Sequence, residues 1–515
     1  MGLPAVLVGE GVEDAEGGLV EAEREPRRRV GFGLGHREGV FEELRDLVGL
    51  LGFRFECRLQ RVVGFGHTVS VEDWSDITAS VGRRVSSGRR PTTLLPGGVQ
   101  AEAMGRDYAE LHDPNAEYTM RNLSAETMGA TAKRGGGRDV EITDVQTTMI
   151  DGNFPWTLVR VYTDAGVVGT GEAYWGAGVP ELIERMTPFL VGENPLDIDR
   201  LYEHLIQKMS GEGSVEGVTV TAIAGIEVAL HDLAGKILEV PAYQLLGGKY
   251  RDEMRVYCDC HTEAEADPDA CADEAERVVE ELGYDALKFD LDVPSGLEKD
   301  RANRHLRPGE IRHKAEIVEK VTERVKDRAD VAFDCHWSFS GGSAQRLADA
   351  IEEYDVWWLE DPVPPENLEV QEEVTKSTVT PIAVGENRYR VTEERRLIED
   401  QAVDIVAPDM PKVGGMRETR KVADVANQYY VPVAMHNVSS PVATMASAHV
   451  GAAIPNSLAV EYHSYELGWW DDLVEETVIE DGYITIPEKP GLGVTLDMDA
   501  VEEHAVDGED VFDEA

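Results

Sequence analysis

The chain has 515 residues, with 99 acidic and 49 basic side chains and a formal net charge of −50. This balance argues against a nucleic-acid partner, whose phosphates require a basic surface, and against charge-driven binding to an anionic membrane. The hydrophobic content of 42% is too high for a disordered acidic chain, so we expect a folded protein with an acidic coat of the kind that suits a very salty cytoplasm.

The five cysteines, at positions 57, 258, 260, 271 and 335, do not form a disulfide framework pattern in a chain of this length. No apolar run approaches the length of a membrane helix, and the N-terminus lacks the positive region of a signal peptide. We therefore expect reduced thiols, no membrane partner and a cytoplasmic location.

Residues 1–103 differ in composition from the rest of the chain. They are rich in Gly, Arg and Val, and they show no sustained amphipathic period. Two interpretations compete: a poorly ordered appendage, or an extension created by a start codon assigned too far upstream, with Met104 as the true start. We favour the second and expect no function in this segment.

Residues 104–250 predict a small α+β domain. The stretches DVEITDVQTTMI and TLVRVYTDAGVVGTGEAYW alternate apolar and polar residues around a glycine-containing turn, as in an antiparallel hairpin. Gly166, Gly169 and Gly171 do not have the spacing of a phosphate-binding loop, so we expect them to serve a turn. A helical period follows through VTVTAIAGIEVALHDLAGKILEVPAYQLLGG and is closed by Gly247 and Gly248.

Residues 251–465 predict a barrel of parallel strands. Eight short apolar runs alternate with helical patterns, as in buried βα units: RVYCDCH, ALKFDLD, VAFDCH, WWLED, PIAVGEN, DIVAPD, PVAMHN and LAVEYH. The polar stretch 293–310 after the second run is either a lid or a plain surface insertion. Residues 466–515 include DGYITIP, a strand pattern that we expect to return to the α+β domain.

Six of the runs end in an ionisable residue, at intervals of 23 to 27 residues: Asp334, Glu360, Glu386, Asp409, His436 and Glu461. A βα repeat has about this length, and catalytic groups of such barrels lie at the C-terminal ends of the strands. We therefore expect all six to face one cavity. Three converging carboxylates cannot all stay ionised without a cation, and oxygen ligands suit Mg²⁺, so we predict a magnesium site at Asp334, Glu360 and Glu386.

Residues 139–500 resemble the mandelate racemase/muconate lactonizing enzyme family of the enolase superfamily. The resemblance is carried by ALHDLAGKILEVPAYQLLGG, by WLEDP and AVGEN with Glu360 and Glu386, and by PEKPGLGV. It implies an α/β fold, namely a modified TIM barrel with an N-terminal α+β capping domain. It also implies an essential Mg²⁺, abstraction of a proton α to a carboxylate, and a homo-oligomer, often an octamer.

Within this family the chain resembles sugar-acid dehydratases of the gluconate and galactonate type. Their general acid is a histidine placed as His336 is here, two residues after a metal ligand and hence on the same face of the strand. The resemblance further implies that His436 is the base, that Asp409 orients it, and that Glu461 hydrogen-bonds the developing enolate.

The second strand departs from the racemases of the family, which carry Lys-x-Lys there. This chain has Lys288-Phe289-Asp290, so a convincing base is present on one face only, and a racemase is disfavoured. Lys288 and Asp290 are the predicted substrate-binding residues. For Lys288 we slightly favour the alternative of a structural ion pair with Asp290 or Asp292.

The predicted reaction is the Mg²⁺-dependent dehydration of a sugar acid to a 2-keto-3-deoxy acid. D-Gluconate is the first substrate expected, with D-galactonate, D-xylonate and D-arabinonate as alternatives. Specificity is expected to depend on the loops 152–157 and 293–310. An epimerase, a cycloisomerase and a barrel that binds without catalysis are the competing interpretations.

Overall fold

The computed structural model describes residues 140–212, 214–294, 296, 303–508 and 511–512. The predicted extension 1–103, the start of the α+β domain at 104–139 and part of the 293–310 loop lie outside the described residues. The described chain begins with a small sheet and helices, continues into a barrel and then returns to the sheet.

The α+β domain is built on a three-stranded antiparallel sheet in the order β1 (Ile142–Asp151), β2 (Pro155–Thr163) and β3 (Val168–Ala173). The alternation predicted one hairpin, and the structure has two, because the chain also turns between β1 and β2. The helices that follow are α1 (Val179–Met186), α2 (Ile198–Ser210), α3 (Val218–Leu238) and the short α4 (Ala242–Leu245). The predicted continuous helical segment is therefore interrupted before Pro241, which cannot extend a helix.

Glycines of the second hairpin have two different roles. Gly166 has a φ of 71° and lies in the turn between β2 and β3, as predicted. Gly169 and Gly171 lie within β3, where an added Cβ would collide with the backbone of Ala229 in α3. The expectation of a turn is thus wrong for these two, which allow the helix to lie directly on the sheet.

Helix α3 is long and apolar enough, by length and composition, to cross a membrane. It is 94% buried over its most apolar window, among the described residues. Such burial is what the core helix of a folded domain requires, and it explains why the helix is apolar all round.

The barrel consists of eight parallel strands that close on themselves, in agreement with the predicted α/β barrel. They are β4 (Glu253–Asp259), β5 (Ala286–Asp290), β6 (Asp330–Asp334), β7 (Leu359–Glu360), β8 (Ile382–Val384), β9 (Ile405–Val406), β10 (Val433–Met435) and β11 (Ser457–Tyr462). Closure comes from pairing of β11 with β4, with Glu461 opposite Tyr257.

Helices follow the first seven barrel strands, whereas β11 is followed by a loop and a short 3-10 helix, Asp471–Leu473. The helices are α5 (Pro268–Glu281), α6 (Pro308–Val325), α7 (Gly341–Ile351), α8 (Leu368–Ser377), α9 (Arg390–Glu399), α10 (Met410–Val413), α11 (Met416–Gln428) and α12 (Pro441–Ala453). Asp267, Asn367 and Ser440 start α5, α8 and α12 by accepting backbone hydrogen bonds from the first turn.

The C-terminal segment contains β12 (Tyr483–Thr485) and α13 (Met498–His504). The strand predicted at DGYITIP is present, but it pairs antiparallel with barrel strand β4 and does not join the first sheet. The chain reaches that sheet only later, where Ala505 bridges to Ile150 and the Phe512 N–H donates to Thr148 Oγ1 at 3.1 Å.

Two buried carboxylates of the α+β domain hold the starts of barrel helices. Glu227, in α3, accepts hydrogen bonds from the N–H groups of Met416 and Arg417 at the start of α11, both at 2.9 Å. Glu172, in β3, accepts from the N–H groups of Ser440 and Ala443 at the start of α12, at 3.0 and 3.1 Å. A carboxylate at a helix N-terminus satisfies free N–H groups and complements the helix dipole, so both contacts fix the two domains together.

Candidate active site

Strand alternation aims most of the ring of six predicted residues into the barrel. The interior is lined by small side chains with a few large ones: Ala286, Ala332, Ala434, Ala459, Tyr257 and Trp358. Two residues beyond such an interior position the side chain points the same way, towards the C-terminal mouth. Asp334, Glu360, His436 and Glu461 all occupy positions of this kind.

Asp334, Glu360 and Glu386 form a buried carboxylate cluster. Each offers an oxygen, and these oxygens lie within 4.8 Å of one another. Glu360 Oε1 and Glu386 Oε2 are buried and have no hydrogen-bond donor in the described part of the chain. Burial raises the pKa of Glu360 and of Glu386 well above the ordinary value. Orphaned oxygens in a buried acidic cluster fit a divalent cation, which would supply the missing positive charge.

Lys288 lies beneath this cluster and is only 1% exposed. Its Nζ is 2.6 Å from Glu461 Oε1, 3.0 Å from Asp334 Oδ2 and 3.7 Å from Glu360 Oε2. The ion pair expected with Asp290 or Asp292 is not among these contacts. Lys288 is instead the counter-ion of the ring, and burial opposes its charge while the surrounding carboxylates hold its pKa well above the ordinary value.

The pKa of Asp334 shows the balance of these forces. Burial acts to raise it, but Lys288 and His336 outweigh burial, so that the pKa falls to about 2. The His336 N–H also donates to Asp334 Oδ1 at 2.8 Å. Asp334 is therefore the carboxylate of the cluster that is most firmly ionised.

His436 and Asp409 form a hydrogen-bonded pair. His436 Nδ1 is 2.7 Å from Asp409 Oδ2, so the Nδ1–H donates to the carboxylate. His436 Nε2 then faces the cluster, 3.4 Å from Glu386 Oε2 and 4.0 Å from Glu461 Oε2. Burial lowers the pKa of His436 to about 3, so the imidazole is neutral. This geometry presents a free Nε2 lone pair, the feature of a general base.

His336 reaches the cluster by a different route from the one predicted. Strand β6 ends at Asp334, and His336 has a φ of 38°, so a left-handed turn rather than strand alternation places it. Its Nδ1 is 3.0 Å from Asp292 Oδ1, and its Nε2 is 3.8 Å from Asp334 Oδ2. Burial opposes the charge, but Asp334 and Asp292 raise the pKa of His336 to about 11. The imidazolium form is the one that can give up a proton.

Asp290 and Glu461 both have partners within the protein. Asp290 Oδ1 lies 3.8 Å from His336 Nδ1, and burial raises the pKa of Asp290 to about 8. Glu461 is fully buried, and its Oε2 accepts hydrogen bonds from Tyr257 and from the Asn437 N–H, both at 3.1 Å. Its other oxygen, Oε1, forms the ion pair with Lys288.

Several residues near the ring were not predicted. Tyr174 comes just after β3, and the centroid of its ring lies 6.5 Å from that of His436. Lys412 Nζ lies 4.7 Å from the centroid of the Tyr174 ring. Lys412 also donates to Asn387. Of the predicted specificity loop 152–157, residues 155–157 belong to β2, and Asn153 in the preceding turn contacts His463 beside the mouth of the barrel. An aromatic pair at a strand end carries no local signal that would have singled out Tyr174.

Taken together, these groups can remove a proton next to a carboxylate and assist the loss of a hydroxyl group. A neutral imidazole and an imidazolium stand beside a cluster suited to a divalent cation. Tyr174 and Asn153 of the first domain lie at the same mouth.

Comparison with known proteins gives consistent matches over this region. Residues 142–247 match the mandelate racemase/muconate lactonizing enzyme N-terminal domain, and residues 270–500 match the enolase C-terminal domain-like family. The chain is 76% identical over 409 residues to a D-xylonate dehydratase of Haloferax volcanii, covering 79% of this chain and 99% of that protein.

Two further comparisons agree. A D-galactonate dehydratase family member of Halomonas elongata is 32% identical over 366 residues, which cover 66% of this chain and 89% of that protein. The crystal structure of a mandelate racemase/muconate lactonizing enzyme-like protein from Rubrobacter xylanophilus superimposes with a TM-score of 0.69 at 39% identity, covering 72% of this chain and 98% of that one.

Proposed function

The chain belongs to the mandelate racemase/muconate lactonizing enzyme family of the enolase superfamily and is a sugar-acid dehydratase, and we propose that its substrate is D-xylonate. The observation that carries the proposal is the 76% identity to a D-xylonate dehydratase. The sequence motifs alone place D-gluconate first and D-xylonate among the alternatives, and this similarity reverses that order.

Enzymes of this superfamily use a divalent metal ion, and we propose Mg²⁺ held by Asp334, Glu360 and Glu386. Their buried, converging oxygens support this assignment. When bound, Mg²⁺ supplies positive charge that stabilises the negative charge developing on the substrate carboxylate. The ammonium group of Lys288 is fixed by Glu461 at 2.6 Å, and its positive charge adds to this stabilisation. We therefore propose that Glu461 acts on the enolate through Lys288.

His436 is the proposed base for the C2 proton. Asp409 accepts from Nδ1–H at 2.7 Å, so the imidazole keeps the tautomer in which Nε2 is free to take a proton. The resulting imidazolium is stabilised by the same carboxylate. Asp409 is therefore a positioning residue, and His436 is the catalytic one.

His336 is the proposed acid. Proton donation to the C3 hydroxyl lets it depart as water, because hydroxide is a poor leaving group. Asp292 holds Nδ1 at 3.0 Å, which directs Nε2 towards Asp334 and the cluster. The product is an enol that tautomerises to a 2-keto-3-deoxy acid, with one water released for each sugar acid consumed. Asp290, 3.8 Å from the same imidazole, is proposed to contact the substrate hydroxyls.

The test is turnover by the purified full chain in high salt with Mg²⁺, because a chain of net charge −50 needs screening. D-Xylonate, D-gluconate, D-galactonate and D-arabinonate are compared by kcat/KM for formation of the 2-keto-3-deoxy acid. The highest value is expected for D-xylonate. A higher value for a six-carbon acid would overturn the substrate, and an isomerised acid without loss of water would favour an epimerase or cycloisomerase.

We further propose that the protein is a homo-oligomer and that it is located in the cytoplasm. The homo-oligomer is tested by light scattering at high salt, where a monomer would contradict it. The cytoplasmic location is tested by fractionation of cells that produce the protein.

A further inference from the structure

A second group of ionisable side chains lies beside the ring, at the ends of β4 and β11. Asp259 ends β4, His261 follows it, and His463 follows β11 directly. The parallel register pairs Tyr462 with Cys258, which brings His463 next to Asp259. The ligand atoms of the three side chains lie within 4.8 Å of one another. None of the three has a role in the steps described above.

These three side chains are close to one another but form no hydrogen bonds with each other. Asp259 Oδ2 is 3.9 Å from His261 Nε2 and 3.9 Å from His463 Nε2, too far for a hydrogen bond. Asp259 is 3% exposed, and its Oδ1 has no donor in the described part of the chain. His261 Nε2 is likewise buried without a partner there. Buried polar atoms left in this state are costly unless something else binds them.

The tautomer of His463 is set by the loop between β1 and β2. The Asn153 amide lies 2.5 Å from His463 Nδ1, and Ser464 Oγ donates to Asn153 Oδ1 at 3.0 Å, which orients the amide nitrogen towards the imidazole. His463 Nδ1 therefore accepts, and its Nε2 carries a hydrogen that points towards Asp259. The group thus presents an acceptor and a neutral donor to the same small volume.

The spacing suits a hydroxyl group better than a metal ion. A hydroxyl oxygen about 2.8 Å from each of two groups fits between atoms 3.9 Å apart. Ligands of a transition metal stand closer together, because each metal–ligand bond is about 2.0–2.2 Å. The Lys288 ammonium, 4.0 Å from Asp259 Oδ2, also opposes a cation at this point.

The three side chains are close enough to the carboxylate cluster for one sugar acid to reach both. Lys288 Nζ lies 3.0 Å from Asp334 Oδ2 and 4.0 Å from Asp259 Oδ2, so these two carboxylates are at most 7.0 Å apart. With carbon–carbon bonds of about 1.5 Å, an extended five-carbon chain spans about 5 Å from C1 to C5. The aromatic rings of Phe154 and Trp175, with centroids 5.4 Å apart, lie over the same end, and the Phe154 ring is 5.3 Å from His463.

We propose that Asp259, His261 and His463 form a subsite that binds the terminal hydroxyl group of the sugar acid, the one farthest from its carboxylate. The inference rests on the proposed function and deepens it, since it names how the enzyme recognises the remote end of its substrate. A site built to hydrogen-bond a hydroxyl group rejects an analogue that lacks it, because the buried polar groups are then left unpaired.

The test compares D-xylonate with 5-deoxy-D-xylonate in the native enzyme and in His261→Phe and His463→Phe. Phenylalanine places an aromatic ring at the same position and has no nitrogen atoms to form hydrogen bonds. The native enzyme is expected to have a higher kcat/KM for D-xylonate than for the deoxy analogue. In each variant the ratio of the two values is expected to fall about tenfold, the worth of one net hydrogen bond. Activity on the deoxy analogue should change little. His204→Phe, on α2, is the matched control and should keep the native preference.

The outcomes separate the inference from the proposed function. Failure of the native enzyme on D-xylonate would overturn the substrate, and the same variants would then be compared on the acid that is turned over and its terminal deoxy analogue. An unchanged preference in both variants, or an equal loss on both substrates, would overturn the subsite. A second Mn²⁺ ion bound by the native protein in equilibrium dialysis, and lost in His463→Phe, would replace the hydroxyl subsite with a metal site.

Discussion

Replacement of the two histidines should separate proton removal from loss of water. General acid–base groups contribute about 10²- to 10⁴-fold to rate. His436 is 5% exposed, and the two carboxylates near its Nε2 are engaged, Glu461 by Lys288 and Glu386 by the proposed cation. Among the described residues no other base is placed beside this position, so His436→Asn should lower kcat by about 10⁴-fold, or about 5 kcal/mol.

His336 is less enclosed, with a side chain that is 34% exposed. Water can therefore supply part of the lost proton, and His336→Asn should lower dehydration only by about 10²-fold. In D₂O this variant should incorporate deuterium at C2 of unreacted substrate. The reason is that the enolate is now reprotonated at C2 more often than it loses the C3 hydroxyl group. His436→Asn should show neither dehydration nor exchange.

The assay measures keto-acid formation and C2 deuterium by NMR in the same samples, with His204→Asn as the control. Loss of exchange in His336→Asn, with exchange retained in His436→Asn, would refute the assignment of base and acid. Equal loss of both processes in the two variants would show that the histidines act as one unit, and that the separation of roles is wrong.

Three other substitutions test the structure around the cluster. Glu360→Gln should weaken Mg²⁺ binding by more than about tenfold, so that the thermal stabilisation of about 2.7 kcal/mol that the native protein gains at a hundred times Kd falls to about half or less at the same Mg²⁺ concentration; an unchanged response would remove Glu360 from the site. Lys288→Met should lower the free energy of unfolding by about 3–5 kcal/mol in urea titrations, because it leaves buried carboxylates unpaired. A neutral result would contradict that counter-ion role. Gly415→Ala should cost about 1–3 kcal/mol, since Gly415 has a φ of 91° and an added Cβ would collide with Glu227. Gly342→Ala in α7 is the control, because its added Cβ meets nothing, and it should not lower stability.

Much of the barrel could be predicted from local sequence patterns, because the end of each strand is marked in the sequence itself. The runs that finish at Asp334, Glu360 and His436 combine apolar residues with one ionisable residue, and that signal needs no knowledge of distant contacts. The order of the βα units then places the residues around one mouth. The same reasoning predicted His336 beside Asp334, where it lies, although the left-handed turn that places it there was not predicted.

What escaped prediction depends on contacts between distant parts of the chain. Tyr174 comes to the ring from a strand more than 200 residues before His436, and nothing beside it in sequence marks that approach. Lys288 was expected to pair with a near neighbour in sequence, Asp290 or Asp292, whereas barrel closure gives it carboxylates from other strands. The packing of β3 against α3 likewise decides what Gly169 does.

The carboxylates Glu172 and Glu227 have a consequence for any attempt to exchange domains between relatives. The helices they hold, α12 and α11, follow the strands whose ends carry His436 and Asp409. A grafted first domain without these two side chains would leave helix N-termini unsatisfied next to the reacting groups. Chimaeras with matched substrate loops should therefore fail unless the grafted domain keeps both carboxylates and the recipient barrel keeps Gly415, against which Glu227 packs. The position of the base thus depends on two side chains outside the barrel.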